Sequence, residues 1–446
     1  MKIDPDFAED IISKALKRGA DQAEVFIRSS RTLSVEIKKQ TLDSFTSSSG
    51  FGYSLRIIKK GRPGFSYSTD MNDREFVVEN AVGAANYSDE DICIDLPEAS
   101  GMAQVEVFDP VLDGIKEEDS VAMVMLLERS AYEEDKRIRK VRKATGTFTS
   151  SETAVINSRS VKAGYSSTSC SAWIVAIAGQ GDESRMGVDF DGGRFLGDVS
   201  FEETGRNAAR RATCLLGARK IESSKADIIL DNLLTVDFLG IFASSLSAEA
   251  VQKGRSLLKN RLNKRVISSK INILDTGLLP GKMGSRPVDD EGVAVKEKTL
   301  ISEGVLRAYL YNTCTAKKGS AVSTGNAVRG GFSSLPSVGI TNLFLEAARG
   351  SDIVPKNKMF SLIKRGLYIV NAMGVHSANP ISGEFSIGVT GLWIENGEVK
   401  FPVKEAVISG TILEFFDRVE AIGDDFRFYG NIGAPSLVIS GMDISA

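Results

Sequence analysis

Histidine is nearly missing from this chain: His376 is the single one among 446 residues. Catalytic zinc is commonly held by three His, by two His and a Glu, or by two Cys and a His. One histidine cannot supply the first two sets. The third needs paired thiolates, yet Cys93, Cys170, Cys214 and Cys314 lie far apart, with no C-x-x-C. These shortages argue against an intrinsic zinc hydrolase site and against a disulfide framework, and they suit a reducing compartment. Long hydrophobic runs are also lacking: none approaches the roughly 18–20 residues that cross a bilayer, and residues 1–6 carry no apolar leader. Charge of one sign is not in excess, with 55 Lys+Arg against 58 Asp+Glu and a net charge of −3. The basic footprint of a nucleic-acid binder is therefore missing. No G-x-S-x-G elbow and no K-T-G occur, which leaves the S-x-x-K strings at 256–259 and 361–364, and His376 itself, without serine-hydrolase context. The expectation is a cytoplasmic protein that contacts neither membrane nor nucleic acid directly.

What is present describes an α+β protein. A hydrophobic fraction of 42% and a charged fraction of 25% are those of globular chains, and the length allows two or three domains. Asp4 and Pro5 open a helix with Phe7, Ile11, Ala15 and Leu16 on one face, stopped by Gly19. Strand-like runs follow at 23–28, 33–37, 51–59 and 65–68, then a second helix from Asn72 or Asp73. A third helix is expected over 117–136, strands over 137–149, 152–158 and 161–177, and a helix over 201–216. This order predicts antiparallel mixed sheets packed by helices, not a doubly wound parallel sheet. The run 136–143 holds six basic residues of eight, and without interleaved aromatics it reads as a solvated strand. The expected division is an amino-terminal α+β domain, 1–222, and a strand-rich carboxyl-terminal domain, 223–446, beginning with a strand at 226–230 and a long helix, 234–262.

The second half carries the candidate site residues. Asp289, Asp290 and Glu291 offer either a hard-cation site or an acidic turn before Gly292. Asn326 and Arg329 suit either a peptide carbonyl or carboxylate, or a loop stitched to the core. The string 277–283 imitates a phosphate loop but is one residue short and has no Ser or Thr after Lys282, so it reads as a turn.

The blocks Asp289-Asp290-Glu291-Gly292-Val293, 300–306, Ser323-Thr324-Gly325-Asn326-Ala327-Val328-Arg329, 382–386 and 391–398 are each weak alone. In this order and spacing they resemble the TldD/PmbA family, historically called modulators of DNA gyrase, over essentially the whole chain. In the TldD branch a helix carries His-Glu-x-x-x-His, which binds zinc and supplies a carboxylate. Registering Gln252-Lys253-Gly254 on that helix puts Leu239, Gly240 and Ser244 at the three motif positions, and none is a functional substitute. The stretch 429–435 also lacks the cysteines found there in the TldD branch. The chain is thus similar to the PmbA/TldE branch. That resemblance implies a non-catalytic subunit of a zinc metallopeptidase complex acting on peptides or unfolded chains. It also implies a TldD-type partner that holds the zinc, with no cofactor, metal or catalytic residue in this chain. A homodimer of the unpartnered chain is left open. Two alternatives stand beside it: an independent peptidase with an atypical metal set at Asp289, Asp290 and Glu291, and a regulator of DNA gyrase without peptidase activity.

Overall fold

The computed structural model describes residues 4–445. The first half is one six-stranded antiparallel sheet. It contains α1 (Pro5–Lys17), β1 (Gln22–Lys38), β2 (Thr41–Lys59), β3 (Arg62–Ser68), α2 (Arg74–Ala85), α3 (Pro110–Asp113), α4 (Glu117–Glu134), β4 (Ile138–Asn157), β5 (Lys162–Gln180), β6 (Glu183–Gly193) and α5 (Phe201–Thr213). The strand order is β3-β2-β1-β4-β5-β6. The Asp4 carboxylate accepts from Asp6 N at 3.0 Å, and Pro5 occupies the first helical position where its missing N–H costs nothing. Leu16, expected on the buried stripe, is 38% exposed. The separate strands expected at 23–28 and 33–37 are one strand, as are those at 137–149 and 152–158. The serines, Arg31 and Thr32 between them are paired on both sides instead of turning. In the basic run, Ile138 and Val141 are buried while Arg137 and Arg139 hold Asp135 and the Gly181 carbonyl.

Cross-strand register gives the sheet two unlike faces. One carries the rows Leu33–Phe148–Cys170, Val35–Gly146–Ala172 and Ile37–Ala144–Ile174, covered by α4 and α5. The other carries Ser30–Ser151–Ser167, Thr32–Thr149–Ser169 and Ser34–Thr147–Ser171. Hydroxyls in these rows bond one another, with Thr32 and Thr149 oxygens 3.1 Å apart and those of Ser151 and Ser167 also 3.1 Å apart.

The second half holds β7 (Ser224–Leu230), α6 (Asn232–Ala243), α7 (Ala248–Gln252), β8 (Ile271–Thr276), β9 (Glu297–Ser302), β10 (Val305–Leu306), α8 (Thr313–Lys318), β11 (Ala327–Val328), β12 (Ser337–Val338), β13 (Asn342–Ala347), β14 (Ile353–Val354), β15 (Arg365–Met373), β16 (Glu384–Glu395), β17 (Glu398–Thr411), α9 (Ile412–Asp417), β18 (Val419–Gly423), β19 (Arg427–Tyr429), β20 (Ile432–Ala434) and β21 (Leu437–Ser445). One sheet runs β10-β9-β8-β13-β20-β19. In the other, β7 pairs with both β15 and β21, so β7, β15, β16, β17 and β21 close into a ring. Helix α6 lies between the two sheets, touching β15 on one and β13 and β20 on the other. Its Phe238 stacks on Phe415 at 4.5 Å and meets Phe385 edge-on at 5.2 Å.

The long helix expected over 234–262 is corrected. Helix α6 ends at Ala243, a single 3-10 turn spans Ser244–Leu246, and Ser247 is extended (φ −74°, ψ 126°) as the cap of α7. Beyond Gln252 the chain turns, with Gly254 and Asn260 both at positive φ. The cause is the run of serines: Ser244 Oγ donates to the Ile241 carbonyl, and Ser256 Oγ to the Ser245 carbonyl. Such local bonds compete with helix continuation, and a capping serine restarts it.

Candidate functional site

Two places gather the residues singled out by sequence. The first is α6. Leu239 is fully buried in the core between the sheets. Gly240 and Ser244 instead line a surface cavity of about 610 Å³, together with Asp237, Ala372 and His376. His376 stands in the 3-10 turn Val375–Ser377, set by Gly374 at φ +81°. Asp237 reaches solvent at the rim, yet burial among the cavity walls pushes its carboxyl up to about 6. The anchor Gln252 closes a different helix, so the metal-motif register runs across a break and not along one helix. The family's zinc does not fit here. Position 239 is aliphatic and turned into the core, position 240 has no side chain, and position 244 is a hydroxyl. Among the described residues no group of three or more His, Cys, Asp and Glu converges.

The second place is the loop 286–293, pressed against the amino-terminal sheet. Gly292 sits at φ +82°, and a Cβ there would stand 2.4 Å from a Val161 methyl, so the contact requires glycine. Asp289 is buried, and its two oxygens accept from the amides of Glu291 (3.0 Å), Val293 (2.9 Å) and Ala327 (2.9 Å). Burial, joined by the nearby Glu291, pushes its carboxyl up to about 7. Asp290 accepts from Arg329 N at 2.7 Å. Glu291 accepts from Arg56 Nη1 at 3.0 Å and from Thr313 N at 2.9 Å. Arg56 also forks onto Glu24 at 3.0 and 2.8 Å, and Arg329 reaches the same carboxylate at 2.6 Å. Asn326 donates to Asp275 and the Gly339 carbonyl, both at 2.9 Å, and accepts from Lys298 at 2.9 Å. The structure thus brings Asp289, Asp290, Glu291 and Arg329 into one buried lattice of complementary charges, with Asn326 adjoining it. Its function there is to tie the two halves together.

The alternating segments 305–310 and 385–394 offer little open edge: β16 is paired by β17 along its length and by β15 from Gly388 onward, and the outer side of β10 is closed by bonds from residues 263–266. An open edge that sequence missed is on β5. β6 pairs with β5 only from Cys170 onward, so residues 162–169 have one side without a partner strand, where Thr168 is taken up, its N–H by the Val107 carbonyl and its carbonyl by Arg194 Nη1. Beside Gly164 and Ser166, both exposed, lies a groove of about 510 Å³ bounded by Pro5 and Glu9 of α1. β6 is rich in Gly and Asp and went unpredicted, so no sequence signal marked where its pairing would begin.

Comparison with known proteins places this geometry. Models of the PmbA/TldA metallopeptidase match in three pieces: domain 1 over residues 23–85, the central domain over 110–216 and the C-terminal domain over 223–446. The chain belongs to the PmbA/TldD family. It is 25% identical to metalloprotease PmbA of Escherichia coli O157:H7, over 98% of this chain and 96% of the relative. It is 27% identical to the metalloprotease PmbA homolog of Buchnera aphidicola, over 95% and 92%. A Thermotoga maritima protein described as a candidate modulator of a DNA gyrase superposes with a TM-score of 0.90 at 26% identity, covering 99% of both chains. TldE from Thermococcus kodakarensis shares the fold, with a TM-score of 0.86 at 20% identity over 98% and 99%. In this PmbA/TldD member, α6 carries Leu239 and Gly240, and Ser244 opens the 3-10 turn that follows it. No helix among the described residues is long and apolar enough to cross a membrane.

Proposed function

We propose that this chain is the metal-free subunit of a cytoplasmic PmbA/TldD-type peptidase assembly, in which a TldD-type partner holds zinc and performs amide hydrolysis. One observation carries the reading: at the three positions aligned with the metal motif the chain presents an aliphatic side chain in the core, a glycine and a hydroxyl. None of the three supplies a metal ligand or a proton-transfer carboxylate. The free edge of β5 supports a peptide-handling role. An extended chain that adds a strand to such an edge is held by main-chain bonds with little dependence on its sequence. Asp289, Asp290, Glu291, Asn326 and Arg329 serve this cleft indirectly, by fixing the loops that hold the halves in register. The free state of all four cysteines agrees with a reducing compartment.

The test is co-expression with a subunit carrying His-Glu-x-x-x-His, followed by size exclusion, metal analysis and peptide turnover. The expected result is a stoichiometric complex with zinc and activity that the isolated chain lacks. Turnover by the isolated chain, or failure to form any complex, sinks the proposal. Ser166→Pro, which removes one edge donor where the strand tolerates proline, is expected to weaken peptide binding while leaving complex formation intact.

A further inference from the structure

The polar face of the first sheet ends in a group of arginines that the fold leaves short of partners. One row above Ser30–Ser151–Ser167 the same register places Arg28, Thr153 and Tyr165 side by side on that face. Arg194, just after β6, and Arg286, in the loop pressed on the sheet, both lie within electrostatic reach of Tyr165. Arg286 is only 9% exposed, and its guanidinium has one loose ion pair, to Asp290 at 3.5 Å. Its Nε and Nη2 are buried without any acceptor, and so is Nε of Arg194. Arg194 spends its other nitrogens on the carbonyls of Thr168 (3.2 Å) and Ser285 (3.1 Å). Among the described residues the exposed Arg28 side chain forms no ion pair and the half-buried Tyr165 hydroxyl has no hydrogen-bond partner.

Charge is equally one-sided. The carboxylate paired with Arg286, Asp290, already accepts from Arg329 N. Asp289 and Asp275 also lie within electrostatic reach of Arg286, but both are committed. Asp289 serves three amides, and Asp275 serves Lys298, Thr341 and Asn326. Burial, with the like charges of Arg28 and Arg286 added and Tyr165 opposing, pulls the Arg194 guanidinium down to about 10. Buried guanidinium N–H groups are rarely left unpaired, because each forgoes water without compensation. An oxyanion would supply the missing acceptors, and the planar fork of arginine matches its paired oxygens.

We infer that Arg28, Arg194 and Arg286, with the Tyr165 hydroxyl, form a binding site for an oxyanion, a carboxylate or a phosphate, at the head of the hydroxyl-paved face. The exposed Arg28 marks the side of entry. Tyr165 and Thr153 also line the groove beside the free edge of β5. A peptide lying along that edge would therefore bring its terminal carboxylate to the arginines. This peptide source rests on the reading given above, whereas the oxyanion site itself does not.

The experiment is isothermal titration of the full chain at low ionic strength. The probes are inorganic phosphate and one unstructured hexapeptide, prepared as the free acid and as the carboxyl-terminal amide. Arg28→Ala, at the surface, and Arg286→Lys, which keeps the charge but loses the fork, are titrated alongside, with folding checked by circular dichroism. The expected result is binding of phosphate and of the free acid in mutual competition. The amide and each variant should be weaker by roughly tenfold, the loss of about one charge-assisted bond. Phosphate binding lost in the variants, with acid and amide peptides indistinguishable, still supports the site and assigns it to a free oxyanion. Absence of saturable binding by any oxyanion, or binding unchanged in both variants, overturns the proposal. Complex formation with a His-Glu-x-x-x-His subunit is read separately, so failure of one idea leaves the other standing.

Discussion

Two groups of buried arginines lie on the same face of the amino-terminal sheet and are treated in opposite ways. Around Glu24, each guanidinium is matched: Arg56 forks onto Glu24 and reaches Glu291, while Arg329 bonds Glu24 and the Ser334 carbonyl and lies 4.9 Å over the Phe26 ring. Farther along that face, near Arg28 of β1, Arg286 and Arg194 keep buried N–H groups with no acceptor among the described residues. The first arrangement is what a joint between two halves of a molecule needs, with every charge answered inside the protein. The second holds unspent donor capacity where side chains still reach solvent. Complementarity, more than burial or charge alone, separates a structural cluster from one that awaits a ligand.

The largest effect expected to break this contrast is Arg56→Met. It leaves Glu24 and Glu291 buried with reduced compensation, and a loss of about 3–5 kcal/mol is expected by chemical denaturation. Next is pH. The Asp289 carboxyl, about 7 in the fold against 3.8 ordinarily, binds its proton more tightly when folded than when unfolded. Stability is therefore expected to be greatest at low pH with respect to this group, to fall as pH rises from about 4 to 7, and to level above that. Asp289→Asn should flatten that segment of the stability–pH curve, and a curve with the wild-type slope would contradict the assignment. Third, Arg286→Met removes a charge that has little to lose. It is expected to cost no more than about 1 kcal/mol, or to stabilise, and a loss equal to that of Arg56→Met would erase the distinction between the two groups. Smallest is Lys140→Ala in the basic run, expected within about 0.5 kcal/mol of the parent and without effect on DNA retention.

Local chemistry was legible in the sequence wherever it was self-contained. The Asp4–Pro5 start of α1, the apolar side of α4 and the period-two strands all follow from neighbours a few residues apart. The serine run 244–247 misled because its apolar flanks keep helical spacing, while the break depends on hydroxyl bonds that spacing does not display. β6 was invisible for a related reason: its Asp and Gly residues disfavour strand alone, and pairing with β5 overrides that preference. The lattice around Asp289 and Arg329 was half legible. Its acids and its arginine stand out, but Glu24 lies 305 residues from Arg329 and looks like one more polar residue on an edge of β1. The hydroxyl rows were in plain view as alternating Ser and Thr, and only the register that stacks them across three strands turns them into a surface.

The inward orientation of Leu239 bears on how this branch of the family could change. An imidazole put there by a single codon change would be lodged among hydrocarbon beside Phe238 and Phe242, with no path to a substrate. A metal ligand at this position would therefore require rotating or rebuilding the helix against both sheets.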